Sequence, residues 1–291
     1  MNETVSVIVP TYNYGRFIAD ALRGVLGQTR PADEVIVVDD GSTDETQSVV
    51  RGFDNVRYVR QENRGVGAAR NLGVANSTGT LIAFADADDI WRPQKLERQI
   101  AQFAGDDEIG LVHCGLREFD DTTGETVKLH VEGAEGRVAD HLLLWKKPGI
   151  TGAGGTIMVR RKAFESAGGF DEGMSVGEDL DFCYRVAREY KIGFLPEVLV
   201  DYRAHSANAH RDVGAMEAGM SRFYAKAFAV DNDAVQDLRT AAFSNFYRIL
   251  GASYLRTGQY APFLRCAFHY AVLQFKLRGK GRRDGNSEMS S

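Results

Sequence analysis

Residues Leu81 to Ala85 form an unbroken apolar run that ends in the carboxylates of Asp86, Asp88 and Asp89. Such a run reads as a strand buried on both faces, as inside a parallel sheet. In extended backbone, side chains two apart point the same way, so Asp86 and Asp88 can face one spot. That spot lies at the carboxyl end of a buried strand, where open α/β sheets bind their ligands. Carboxylate oxygens there suit a divalent cation that keeps waters and a substrate phosphate in its shell. The same residues also read as a helix start, because Asp caps helices and Pro93 follows near a first turn. On this segment alone the two readings stand level.

The surrounding pattern favours the strand. Apolar runs at Val5–Val9, Val35–Val38, Val56–Val59 and Leu81–Ala85 alternate with helical spacing over Tyr14–Leu26, Asp44–Val50, Gly65–Ala75 and Gln94–Phe103. Ser42 or Thr43 is the expected cap of the second helix. Alternation with short connections gives a mostly parallel sheet with helices on its faces. Further on, Leu111–Cys114 and Thr156–Val159 read as strands, Leu180–Glu189 as a helix, and the polar stretch from Glu118 to Gly136 as a loop or hairpin. From Met216 to about Leu277 the pattern is helical, without strand signals. The expected organisation is a catalytic α/β domain over residues 1–205, a helical extension over 206–280 and a disordered polar tail over 281–291.

Charge is uneven along the chain. From Arg203 onward there are 13 Lys/Arg against 7 Asp/Glu, and before it 22 against 33. The acidic part is unlike a nucleic-acid binder, so no nucleic-acid partner is expected. The three cysteines, Cys114, Cys183 and Cys266, lie far apart, with no zinc spacing and no disulfide framework. Met1 to Thr4 lacks the basic start of a signal peptide, and no apolar stretch approaches the length of a membrane span. The expected location is the cytoplasm, with a peripheral position at the inner face of the cell membrane as an extension of that reading. The apolar aromatic segment Tyr260 to Tyr270, followed by Lys276, Arg278, Lys280, Arg282 and Arg283, would supply such membrane contact. The competing reading is a helical hairpin packed on the catalytic domain with a solvated basic end.

Polar residues gather at the carboxyl ends of all four early strands: Thr11 to Asn13, Asp39 to Ser42, Gln61 to Gly65 and Asp86 to Asp89. Four such ends on one edge of one sheet make a site. The motifs VIVPTYN (Val7–Asn13), VVDDGSTD (Val37–Asp44), ARNLG (Ala69–Gly73), DADD (Asp86–Asp89), GGFDE (Gly168–Glu172) and GEDLD (Gly177–Asp181) follow one another in order. With them the chain resembles family 2 glycosyltransferases, inverting enzymes of the GT-A fold, over roughly residues 4–205. Each motif is weak alone; the ordered set is specific.

The resemblance implies roles position by position. Thr11, Tyr12 and Asp40 fall in the nucleotide-base pocket, where a carboxylate accepts the imide N–H of uracil and Tyr packs on the base. Asp39 is the structural member of that pair. The segment from Gly65 to Arg70 departs from a dinucleotide fingerprint because Arg70 stands in place of the last glycine, and Arg70 becomes a base or phosphate contact, with a surface arginine as the alternative. Asp86 meets the ribose, and Asp88, the last carboxylate of the DXD motif, meets Mn2+ or Mg2+ on the diphosphate. Asp89 caps the following helix. Gly154 and Gly155 line the donor sugar, since glycine lets backbone approach a ligand. Asp179 is the base that takes the acceptor proton, with Glu178 as its neighbour on the acceptor side. His205 reaches the metal or diphosphate as a second ligand, with a structural histidine as the alternative and His210 as a weaker rival. Apart from the resemblance, Trp145 and the region from Gly133 to Lys147 read as facing the acceptor, with a buried core Trp as the default.

The implied activity is transfer of a sugar from a nucleotide diphosphate sugar, a UDP-sugar first among them, to a carbohydrate or lipid-linked carbohydrate acceptor in surface polysaccharide or glycoconjugate synthesis. Two rivals remain. A non-catalytic nucleotide- or carbohydrate-binding module would bind without turnover. A sugar nucleotidyltransferase would need a basic glycine-rich loop after the first strand, and Thr11 to Arg16 does not supply one.

Overall fold

The computed structural model describes residues 3–205, 212–229 and 232–288, with side chains described as far as Leu277. The early apolar runs form β1 (Val5–Thr11), β2 (Glu34–Asp39), β3 (Arg57–Arg60) and β4 (Leu81–Phe84), separated by α1 (Gly15–Leu26), α2 (Thr46–Val50) and α3 (Val66–Ala75). Every residue of β1 is buried, as expected for a parallel strand covered on both faces. Helix α2 starts later than its spacing suggests. Asp44, rather than Ser42 or Thr43, closes its start by accepting from Thr46 N at 3.0 Å.

Helix α3 is made of small residues because it lies close to the sheet. A Cβ on Gly73 would stand 2.3 Å from Ile8 Cγ2 on β1. Gly73→Ala is therefore expected to lower stability by about 1–3 kcal/mol through overpacking. Urea unfolding measures this, and an unchanged midpoint would contradict the close approach.

Next come β5 (Ile90–Trp91), α4 (Lys95–Phe103), β6 (Ile109–Asp120), β7 (Thr126–His130), α5 (Ala139–Leu143), α6 (Ala153–Thr156), β8 (Met158–Arg160), α7 (Arg161–Ser166), α8 (Glu178–Glu189) and β9 (Lys191–Ala204). The sheet order is β3-β2-β1-β4-β8-β6-β9-β5, with β7 added on β6. Strands β1 to β4 run parallel; β8 is antiparallel to both β4 and β6, and β9 runs parallel to β6. The sheet is thus mixed rather than mostly parallel beyond β4. The polar stretch after Glu118 is the β6–β7 hairpin. Strand β9 has no counterpart among the strands expected from the sequence, yet it matters most for the site. It pairs antiparallel with β5, Trp91 opposite Val200 and Ile90 opposite Asp201. This register carries the chain after Asp201 back beside the acidic turn that precedes β5.

The C-terminal helices are α9 (Val213–Ala227), α10 (Asp233–Arg256) and α11 (Tyr260–Glu288). Helix α11 runs to Glu288, so the tail expected to be disordered is helical over 281–288, and 289–291 lie outside the described residues. No proline after Pro262 interrupts its backbone bonding. The chain separates into one unit of residues 1–139 and 147–208 and another of 140–146 and 209–291. Residues 206–211, at the expected boundary, lie outside the described residues. The short piece 140–146 joins the helices because Tyr224 Oη donates to Leu143 O at 3.1 Å and Asn245 Nδ2 to Leu144 O at 2.9 Å. Trp145 stacks on Phe246 in that unit, with ring centroids 6.5 Å apart. This packing fits the core reading of Trp145, whose side chain stays partly exposed.

Candidate active site

Two groups of the expected residues assemble at the carboxyl edge of the sheet. The first surrounds the end of β1. Thr11 is buried, and its hydroxyl has no hydrogen-bond partner among the described residues. A buried polar group left unmatched costs about 1–3 kcal/mol, so this one favours a ligand or water. Tyr12 beside it is 47% exposed, a ring free to cover a flat group. Asp39 is structural: it accepts from Ser42 N at 2.7 Å and from the Tyr58 hydroxyl. Asp40 is more occupied than the sequence suggests. It accepts from Gln61 Nε2 at 2.6 Å and from the backbone N–H groups of Arg64 and Gly65, both at 2.8 Å. A carboxylate has about four lone-pair positions, so one remains for a base. Asp40 thus shapes the loop after β3.

The second group follows β4. Asp89 N donates to Asp86 O at 3.2 Å, which closes the acidic segment into a turn. Asp88 Oδ2 lies 3.0 Å from His205 Nε2, and Tyr14 also hydrogen-bonds Asp88. The His205 ring packs on Phe17 at 4.9 Å. Burial, and then the neighbouring Asp86, push the Asp88 carboxyl above its ordinary range, while His205 pulls it back. Burial, Asp88 and Asp86 raise Asp89 further still. Asp89 does not cap a helix, since β5 follows it. Its Oδ1 accepts from Arg203 N at 3.1 Å and pins the end of β9. Arg203 Nε donates to Asp88 O at 2.9 Å, and its guanidinium also reaches Asp20 and Asp121. The sequence offered no signal for Arg203 beyond its nearness to His205.

Arg70 is neither a surface residue nor open to solvent. It is 4% exposed, with Nη1 2.8 Å from Glu178 Oε1 and Nη2 3.1 Å from Asp86 Oδ1. Its guanidinium is thus held between the two carboxylates. Gly154 and Gly155, on the single turn α6, close over the same carboxylates. A Cβ on Gly154 would lie 2.6 Å from Asp86 Oδ2 and 2.7 Å from Arg70 Nη2. A Cβ on Gly155 would lie 3.1 Å from Asp89 Oδ2. Glycine here leaves room at the carboxylates.

This turn is held from behind by residues the sequence reading passed over. Gln99 Nε2 donates to Thr156 O at 2.8 Å and to Val112 O at 3.1 Å, and Lys95 Nζ donates to Gln99 Oε1 at 2.7 Å. Lys95 is fully buried over the Trp91 ring, and burial brings its ammonium down to about 8.

On the other side of Arg70, the α8 start carries Glu178 and Asp179. Acids in a first helical turn are favoured by the helix dipole. Burial, then Asp179, raise Glu178 to about 7 against the pull of Arg70. Asp179 is raised by burial, with Arg70 opposing. Its Oδ1 accepts from Leu180 N at 2.7 Å, and its side chain keeps a partly exposed face. The arrangement gathers a crowded acidic turn, two glycines packed against its carboxylates and a largely buried carboxylate of raised proton affinity.

Similarity to known proteins gives the chain a family and a fold. The family model described as glycosyl transferase family 2 matches residues 6–168. An uncharacterized glycosyltransferase of Nostoc sp. is 33% identical over 217 residues, covering 71% of this chain. The chain spans 66% of that relative's own length, just under two thirds. A crystal structure of TarS from S. aureus with UDP-GlcNAc matches with a TM-score of 0.64 at 18% identity, covering 95% of this chain and 92% of that one. The mannosyltransferase PcManGT from Pyrobaculum calidifontis, in complex with GDP-Man and Mn2+, matches with a TM-score of 0.61 at 22% identity, covering 97% and 80%. The fold is therefore GT-A-like, with a helical C-terminal part.

Proposed function

We propose that this chain, which belongs to glycosyl transferase family 2, moves a sugar from a nucleotide diphosphate sugar to an acceptor hydroxyl with inversion at the anomeric carbon. The observation that carries the proposal is the Arg70 bridge. It ties Asp86, the proposed donor-side carboxylate, to Glu178, next to the largely buried Asp179. One buried cation would thus hold both halves of the proposed site together.

Thr11, Tyr12 and the free position on Asp40 would take the base, with uracil first because Asp40 can accept its imide N–H. Asp86 would take the ribose, and Gly154 and Gly155 the sugar. The donor set fits Mn2+ or Mg2+. Crowded carboxylates of raised proton affinity gain from a cation, and Asp88 and His205 would supply two ligands. No cluster of three or more His, Cys, Asp or Glu side chains suited to a metal occurs among the described residues. The remaining positions would thus fall to diphosphate and water. Bound there, the ion would stabilise charge developing on the leaving diphosphate. Asp179 would accept the acceptor proton as that oxygen bonds the anomeric carbon and the bond to the diphosphate breaks. The acceptor is proposed to be a carbohydrate or lipid-linked carbohydrate in surface polysaccharide or glycoconjugate synthesis. That setting rests on the family resemblance.

The test is a binding titration of UDP, dTDP, GDP and CDP with and without Mn2+, on the native chain and on Asp88→Ala. One nucleotide should bind tightly only with the metal, and the variant should lose that dependence. Equal binding with and without metal would remove Asp88 and His205 as ligands. No binding of any nucleotide would replace the transferase reading with that of a carbohydrate-binding module.

A further inference from the structure

A row of apolar side chains faces solvent along α11. Tyr260, Leu264, Phe268, Val272 and Phe275 are between 39% and 81% exposed. Steps of three and four residues place them on one helix face. A different face packs inside the helical unit. Cys266 is fully buried near Gly251, Gln274 Nε2 donates to Ser244 Oγ at 2.8 Å, and His269 stacks on Tyr247 at 4.7 Å. Helix α11 therefore has its inner side satisfied and carries a second apolar side outward. From Tyr260 to Phe275 the row runs about 22 Å at 1.5 Å per residue. Contiguous exposure of this kind marks an interaction surface, unlike singly scattered apolar residues.

The charge pattern says what the surface meets. By backbone register, positions 278 and 282 continue the row, and both are arginines. Lys276, Lys280 and Arg283 lie among them, and no Asp or Glu occurs from Tyr260 to Arg283. A second copy of this face offers those cations no carboxylate. A layer of anionic lipid headgroups does. No helix among the described residues is long and apolar enough to cross a membrane. We propose that this face of α11 lies on an anionic lipid surface, its aromatic rings at the headgroup–acyl boundary and its basic residues at the phosphates. The proposal rests on α11 alone and stands independently of the transfer reaction.

The experiment is co-sedimentation of the full chain with vesicles of phosphatidylcholine alone or mixed with phosphatidylglycerol. Binding to the mixed vesicles should be about tenfold tighter and should weaken in high salt. Phe268→Glu with Phe275→Glu should lower binding by about tenfold or more. Both positions are exposed, so helix content by circular dichroism should be unchanged. Lys276→Glu with Arg278→Glu should remove the preference for phosphatidylglycerol. Three results would overturn the proposal: no vesicle binding by the native chain, native-like binding by the phenylalanine variant, or a soluble dimer that this variant breaks while vesicles bind neither.

Discussion

Asp179→Asn is expected to leave donor binding within about threefold of native while lowering kcat by about 10²–10⁴, the range removed with a general base. The substitution is chosen for shape. Asn keeps an oxygen that can accept from Leu180 N, so the start of α8 should stay in place. What it loses is the ability to hold a proton. Burial raises the Asp179 carboxyl above its ordinary value, with Arg70 opposing. The acid limb of the native kcat profile should therefore lie above the usual carboxylate range. Activity should fall as pH drops through the raised value, because protonation removes the base. The residual activity of the variant should lack that limb. Glu178→Gln is the control: it weakens an Arg70 contact yet leaves the base, so its profile should keep the limb. Release of nucleoside diphosphate in the presence of acceptor measures both variants. More than a tenth of native kcat in Asp179→Asn would move the base elsewhere.

The parts legible in the sequence and the parts hidden differ in range. Strands β1 to β4 are short apolar runs between polar ends, so each announces itself within a few residues. Their order also places the acidic turn at the carboxyl edge. Strand β9 announces nothing. It contains Pro196, and its pairing with β6 shifts register at more than one point, so inward and outward positions do not alternate cleanly. Strand β5 is two residues long and exists only because β9 is there. The nearness of His205 to Asp88, 117 positions apart, depends on that pairing. Arg70 shows the same limit. Its neighbours in sequence are small residues of an ordinary helix, and the partners that make it a buried bridge lie 16 and 108 positions away. Lys95 reads as a helix-surface lysine until the Trp91 ring and Gln99 are seen to enclose it.

Arg70→Met should have the largest effect on stability. Methionine fills a similar space but leaves Asp86, Glu178 and Asp179 without the cation between them. Removing one partner from a buried ionic cluster typically costs about 3–5 kcal/mol. The loss should depend on pH, and its sign follows from the carboxylates. Glu178 already sits at about 7 with Arg70 present, and Arg70 holds both Glu178 and Asp179 down. Without it their folded-state proton affinities rise further above the unfolded values. A group raised on folding binds more protons in the folded state, so its contribution is intact below the unfolded value. It is lost as pH climbs through the folded one. The difference between native and Arg70→Met should therefore be small near pH 5 and should widen toward pH 8. Chemical denaturation at both pH values measures it. A pH-independent difference would mean that the cost is one of packing. Loss of transfer per folded molecule near pH 8, where the base is ionised, would then separate the placing of Glu178 and Asp179 from stability itself. Arg70 would emerge as a residue that positions the base without touching the substrate.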